Sequence, residues 1–158
     1  MSSEVIENII IQKPEPNNPI PYHLLLLADP YKPAIDKYVK DSEIYITILK
    51  SEIIGVYALF PVTETAIEIK NIAVNETWQG RGIGTLMLAH AAQTAKAKNY
   101  KTLLIGTGNS SINELRFYQR QGFDIFDIKK DFFVNNYPDP IFEDGIQCKH
   151  MIMLKKQL

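Results

Sequence analysis

The chain has 158 residues, 46% of them apolar and 22% charged, ordinary values for one globular domain that buries about two thirds of its unfolded surface. Lysine and arginine total 17 and aspartate and glutamate 18, so no basic field directs the protein to nucleic acid. No apolar run reaches membrane-spanning length, Glu4 and Glu7 stand where a signal peptide would be basic, and the single cysteine, Cys148, cannot form an internal disulfide; a cytoplasmic protein with no membrane attachment is expected.

In chain order, residues 5–12 are rich in β-branched side chains and read as a strand, stopped by the proline-rich run 13–19. Residues 22–28 form a short apolar segment closed by Asp29 and Pro30, and residues 34–40 follow; both are expected as helix. Residues 43–49, with Ile44, Ile46 and Ile48 alternating, and residues 53–60 read as an antiparallel hairpin. Residues 61–65 turn the chain into a third strand, 66–74.

That third strand changes face. Ile67 and Ile69 lie on odd positions, Ile72 and Val74 on even ones, and a strand keeps its face with period two unless a residue is inserted. A β-bulge near Lys70 or Asn71 accounts for the switch, and a bulge bends a strand and frees backbone groups. A regular strand with Asn71 in solvent is the plain alternative.

A glycine-rich turn follows, containing Gln79, Gly80, Arg81, Gly82, Ile83, Gly84 and Thr85. Glycines let an anion approach the main chain, and the unpaired N–H groups of a first helical turn, with the helix dipole, favour a phosphate there. Arg81 adds a cation at the same mouth. Neither the Walker pattern nor the dinucleotide Gly-x-Gly-x-x-Gly fits the spacing, which is Gln79-x-x-Gly82-x-Gly84. An amphipathic helix from 82 to about 98 comes next, with Lys96 and Lys98 in its last turns where cations complement the dipole. Residues 102–105 then form a short buried strand, broken by residues 106–109. Strand, helix, strand makes a crossover, so strands 66–74 and 102–105 lie parallel and adjacent. If the bulge bends the first, the two diverge and leave a V-shaped gap for a ligand.

Ser110 or Ser111 is placed to cap the next helix, 112–120, with Glu114 completing a capping box from Ser111. Gly122 ends that helix, and residues 123–129 return to strand. The Gln79-x-x-Gly82-x-Gly84 turn and, about forty residues on, Phe117-Tyr118 followed by Gly122-Phe123 together resemble the two signatures of the GNAT superfamily of N-acetyltransferases. The resemblance covers residues 66–123. It departs at Ser111, where many members carry Asn, and at Glu114, where many carry Ala; a serine hydroxyl could still donate to a cofactor carbonyl, with shorter reach.

The resemblance implies an α/β fold: a mixed, mostly antiparallel sheet of about seven strands, splayed between the fourth and fifth, with helices on both faces, in one domain spanning 1–158. It implies acetyl-CoA as co-substrate, its pyrophosphate at residues 79–85, its pantetheine arm hydrogen-bonded to the backbone of Ile72, Ala73 and Val74, and a contact from Ser111. Tyr118 matches the tyrosine that protonates the coenzyme A thiolate, and a phenol is protonated at neutral pH. Glu68, five residues before Ala73, occupies the position of the general base in histone-acetylating members; a solvated strand carboxylate is the alternative. The function implied is direct acetyl transfer to an amine of a small molecule or peptide. A non-catalytic acyl-CoA sensor and a transferase for longer acyl chains are the competing readings, and exposed edge strands would allow a homodimer.

The tail, 131–145, is a long aromatic and acidic excursion before a last strand, 147–154. With residues 29–33 it is expected to wall the acceptor site, or else to close the sheet edge as a packing lid. Asp131, Asp139, Glu143 and Asp144 near that wall hint at a cationic acceptor such as a polyamine, an aminoglycoside or a peptide amine. Cys148 and His150, two apart on one strand face, are too few for a zinc site, and no metal is expected. His23 and His90 sit in apolar helical contexts and read as structural.

Overall fold

The computed structural model describes residues 6–158. Nine strands occur among them: β1 (Ile10–Gln12), β2 (Glu43–Leu49), β3 (Glu52–Pro61), β4 (Ala66–Val74), β5 (Thr102–Gly108), β6 (Asp124–Lys129), β7 (Ile141–Glu143), β8 (Ile146–Cys148) and β9 (Met151–Gln157). The helices are α1 (Tyr22–Ala28), α2 (Lys32–Val39), α3 (Ile83–Ala97), α4 (Ile112–Arg120) and α5 (Phe132–Asn136), with a 3-10 turn at Glu76–Trp78. Seven strands form one sheet in the order β1-β2-β3-β4-β5-β9-β6, and β7 and β8 form a separate hairpin. Every neighbouring pair in the large sheet is antiparallel except β4 and β5, which are parallel. The expected mixed sheet is therefore the sheet observed.

Helices cover both faces. On one, Met87, Leu88, Ala91 and Ala95 of α3 and Tyr118 of α4 pack on Tyr57, Leu59, Ile67, Ile69 and Leu103. On the other, Leu24 and Leu25 of α1 and Ile35, Tyr38 and Val39 of α2 pack on Ile44, Ile46, Val56, Ala58 and Ala73. Burying Met87 and Leu25 completely is worth roughly 1.5–3 kcal/mol each, so the two layers hold the sheet from opposite sides. Edge strand β6 is exposed along its length, including Ile125, Phe126 and Ile128.

The bulge lies at Lys70. Ala58 pairs with Asn71 and Leu59 with Ile69, so β4 spends an extra residue where β3 advances by one. As a result Ile67, Ile69, Ile72 and Val74 share the α3 face although their parity changes, while Asn71 and Ala73 turn toward α1 and α2. The parallel pairing of β4 with β5 ends at Ile69 and Ile105, although both strands run on. The V-shaped gap opens where the bulge begins.

Several boundaries differ from expectation. The first strand is only Ile10–Gln12, since the chain before it does not pair with β2, and Val5 lies outside the described residues. Strand β5 runs through Gly106 to Gly108 because β9 pairs with it throughout. A Cβ at Gly106 would stand 2.8 Å from the sulfurs of Met151 and Met153, so those two flexible side chains pack against the bare backbone there. The tail is not one loop but α5 and the β7-β8 hairpin. The expected last strand is broken at Lys149 and His150, so Cys148 ends β8 while His150 precedes β9, and they do not share one strand face. The break has a cause: the side-chain oxygen of Asn109 accepts from the backbone N–H groups of both Lys149 and His150, at 2.7 and 2.9 Å.

Candidate active site

The gap between β4 and β5 is the floor of a cleft of about 910 Å³. One end is built from the chain around the glycine turn. Strand β4 pairs with β3 as far as Val74 but has lost β5, so the free edge at Ile72, Ala73 and Val74 offers backbone groups to a ligand lying along it. Asn75 then caps the 3-10 turn by accepting from the Thr77 N–H at 3.0 Å, and the chain swings into Gly80 and Gly82 at φ of 72° and 84°. Those left-handed conformations need glycine. The first bond of α3 runs from the Leu86 N–H to the Gly82 carbonyl, leaving the amides of Ile83, Gly84 and Thr85 ahead of the helical ladder. This arrangement suits a phosphate group: exposed amides, a helix N-terminus and no Cβ at the turn.

Of the predicted ligand-holding residues, Ile72, Ala73, Val74, Gln79, Gly80, Gly82, Gly84, Thr85, Ser111 and Tyr118 all line this one cleft. Arg81 and Ile83 do not. The Arg81 guanidinium lies over the Trp78 ring at 4.9 Å, and the Ile83 side chain is a core residue, leaving only its backbone amide toward the turn. Gln79 braces the turn, its amide nitrogen donating to the Val74 carbonyl at 2.9 Å.

Tyr118 is 7% exposed at the base of the cleft. Burial, with the charge of Glu114 adding to it, pushes its hydroxyl well above the ordinary tyrosine value, so it stays protonated and a donor. Ser111 is the first residue before α4, yet its side chain makes no cap; the capping box with Glu114 does not form. Its hydroxyl and that of Ser110 instead both donate to Oε1 of Glu143 at 2.8 Å, because a carboxylate is a stronger acceptor than a backbone site. The Ser111 proton is thus committed to the tail.

Glu68 stands apart from the cleft lining. Its carboxylate is 5% exposed, with the Lys70 ammonium 3.5 Å away, and Lys70 itself lines the cleft. Cys148 is buried at the end of β8, where burial raises its thiol above the usual range. His150 accepts from the Asp131 N–H at 2.9 Å. Among the described residues no group of three or more histidine, cysteine, aspartate or glutamate side chains is arranged to hold a metal, and no helix is long and apolar enough to cross a membrane. His90, on α3, is structural and packs beside Tyr57, while His23 is exposed rather than packed.

The other end of the cleft comes from distant segments: residues 27–30 at the end of α1 and just beyond it, Phe133 and Tyr137 of the tail, and Ile141 and Glu143 of the hairpin. The Tyr137 hydroxyl donates to Oδ1 of Asp29 at 2.8 Å, and its ring lies 5.6 Å from that of Tyr31. Burial raises the Asp29 carboxyl above its ordinary range, opposed in part by the Tyr137 bond. The expectation that residues 29–33 and the tail meet is met by this contact. Asn71, expected only as part of the bulge, also lines the cleft, as does Tyr137, which no local sequence pattern marks.

A free strand edge beside a helix N-terminus, with a protonated tyrosine below, is matched by known proteins. The model of the acetyltransferase (GNAT) family matches residues 7–123. The chain belongs to this family. An uncharacterized N-acetyltransferase of Bacillus subtilis, YvbK, is 42% identical over 94% of this chain and 96% of its own. Among solved structures, a GNAT family acetyltransferase from Elizabethkingia anophelis with acetyl-CoA bound is 51% identical at a TM-score of 0.94, covering 96% of this chain and 99% of that one. An IAA acetyltransferase from Bacillus cereus is 43% identical at a TM-score of 0.90, covering 95% and 99%. In this GNAT protein Gln79, Gly82, Gly84, Phe117 and Tyr118 line one cleft.

Proposed function

We propose that this GNAT protein transfers the acetyl group of acetyl-CoA directly to an amine in the cleft between β4 and β5. The observation that carries the reading is the co-location of the free β4 edge, the glycine turn and Tyr118 along one cleft. It is supported by the acetyl-CoA bound to the Elizabethkingia relative. When bound, acetyl-CoA supplies the thioester that is cleaved. The backbone amides of Gly80 to Thr85 hold its pyrophosphate, and the edge at Ile72, Ala73 and Val74 orients its pantetheine arm.

The amine lone pair forms the new C–N bond at the acetyl carbonyl carbon, the C–S bond breaks with its electrons on sulfur, and sulfur takes the Tyr118 proton. The nitrogen gives one proton to solvent at the cleft mouth before it attacks and a second after the bond forms, and a proton from solvent restores the Tyr118 hydroxyl. Tyr118 serves because a thiolate left bare in a buried site is costly and its hydroxyl is the protonated donor at hand. Glu68 takes a positioning part: buried beside Lys70, it neutralises the one cation at the bulge and holds that side chain in place. The lone, buried thiol of Cys148 is kept neutral in this scheme, which is a direct transfer without an acyl-enzyme. A cytoplasmic location belongs to the same reading.

The test is thiol release from acetyl-CoA against a panel of amines, with acetyl-CoA affinity measured by calorimetry. Turnover with at least one amine, lost in Tyr118→Phe while acetyl-CoA affinity persists, supports the scheme. Binding of acetyl-CoA with no turnover on any amine favours a sensor and overturns the transferase. Absence of acetyl-CoA binding overturns the assignment of the glycine turn.

A further inference from the structure

The acidic residues near the tail hinted at a polycationic acceptor, and the structure redistributes them. Asp131, Asp139 and Asp144 are absent from the cleft wall, and Asp131 sits against His150. Glu143 reaches the wall, but its Oε1 accepts from the hydroxyls of Ser110 and Ser111. Glu114 lies at the cofactor end beside Tyr118. The other carboxylate at the far end is Asp29. Its Oδ1 accepts from the Tyr137 hydroxyl at 2.8 Å and the Tyr31 N–H at 3.4 Å, while among the described residues no donor reaches Oδ2 and no cation pairs with the side chain.

A second acceptor beside it is also unused. Asn71 is 4% exposed and lines the same cleft. Its amide nitrogen donates to the Leu25 carbonyl at 2.9 Å and to the Tyr38 hydroxyl at 3.0 Å. Turning the amide over would set its oxygen against the Leu25 carbonyl, two acceptors face to face, so the orientation is settled by the network. Oδ1 is left buried with no hydrogen-bond partner, a state that costs about 1–3 kcal/mol when nothing fills it. The same Leu25 carbonyl accepts the Asp29 backbone N–H at 3.1 Å. One carbonyl therefore anchors both residues, and both line the acceptor end of the cleft.

We infer that Asp29 and Asn71 form the acceptor subsite and that it takes a monoamine, one cationic nitrogen on an apolar body. An ammonium brings three N–H donors, enough for Asp29 Oδ2 and Asn71 Oδ1 together, where a hydroxyl or thiol brings one. The body of the amine meets Leu27, Phe133, Tyr137, Ile141 and Met151, a wall of apolar and aromatic side chains. A second cation on the acceptor meets only Glu143 there, whose Oε1 already accepts from two serine hydroxyls, and the one lysine in the lining, Lys70, is neutralised by Glu68. This inference rests on the transferase reading for which molecule is acetylated, but the binding itself does not.

Phenethylamine and spermidine are the probes, titrated calorimetrically into the CoA-saturated protein and assayed for acetyl-CoA turnover, with wild type, Asp29→Asn and Asp29→Ser compared. Thermal melts and acetyl-CoA affinity report folding of each variant. Phenethylamine binding at least tenfold tighter than spermidine, weakened tenfold or more in a folded Asp29 variant with acetyl-CoA affinity unchanged, is expected. Phenethylamine bound through Asp29 without turnover upholds the subsite and overturns the transferase. Turnover whose KM is indifferent to Asp29, a preference for spermidine, or no binding of either amine overturns the subsite.

Discussion

The two ends of the cleft are made in opposite ways. At the cofactor end, residues 72–85 follow one another along the chain, and the contacts offered to a ligand are mostly backbone groups shaped by glycines and a helix start. At the acceptor end, Asp29, Asn71 and Tyr137 come from three separate stretches, joined through side-chain bonds spanning 46 and 108 residues of sequence. A backbone-built end tolerates side-chain change wherever φ allows it. A side-chain-built end is only as well placed as each partner, so it is where members of one family can differ in substrate while sharing a cofactor.

If that contrast is right, substitutions at the two ends separate cleanly in kinetics. The largest effect belongs to the residue between them: Tyr118→Phe lowers kcat by about 100-fold or more, the range for losing a general acid. Because burial holds the Tyr118 hydroxyl above its ordinary value, wild-type kcat shows no alkaline loss from its ionisation up to pH 10. A limb falling below pH 9 that vanishes in Tyr118→Phe would contradict the assignment.

Next comes the backbone end. Gly82 holds φ of 84° in open space, so Gly82→Val meets no clash but must bear a left-handed conformation costing about 1–3 kcal/mol. Acetyl-CoA affinity should drop about tenfold, by calorimetry, with the KM for the amine unchanged once acetyl-CoA saturates. A larger change in the amine KM than in acetyl-CoA affinity would dissolve the division between the ends.

Smaller still, Glu143→Gln weakens the two serine bonds that clamp the β7-β8 hairpin to the start of α4. Charge-assisted bonds are roughly twice as strong as neutral ones, so the amine KM should rise about threefold to tenfold while acetyl-CoA affinity holds. Tyr137→Phe removes only the hydroxyl bond to Asp29 and should raise the amine KM by a few fold.

The smallest effect lies away from both ends. Burial lowers the His90 imidazole below its usual range, so the unfolded chain binds a proton more readily than the folded one. Stability is then full above the unfolded value near 6.5 and declines as pH falls from there toward the depressed folded value. Urea midpoints at pH 7.5 and 5.5 should show that decline, and His90→Gln should flatten it.

The legible parts were those with local causes. The parity change between Ile69 and Ile72 narrowed the bulge to Lys70 or Asn71, because period-two alternation keeps these isoleucines on one face only with an inserted residue, and the pairing with β3 puts it at Lys70. Gly82 and Gly84 announced the turn, and Gly122, at φ of 91°, the end of α4. The misread parts were set by partners far along the chain. Ser111 carried a complete capping-box pattern, yet its hydroxyl donates to Glu143 instead. Residues 147–154 carried a continuous strand pattern, yet the Asn109 side chain, about forty positions earlier, broke it.

Alternation, glycine spacing and helical periodicity in the sequence determined the sheet order around β4, the glycine turn and the helix bearing Tyr118, since each depends on neighbours within a few residues. The tertiary structure alone decided which carboxylates face the cleft and which are consumed. Three-residue strands and a five-residue helix are too short to be stable by themselves. Their positions follow from long-range hydrogen bonds, and with them the acceptor site.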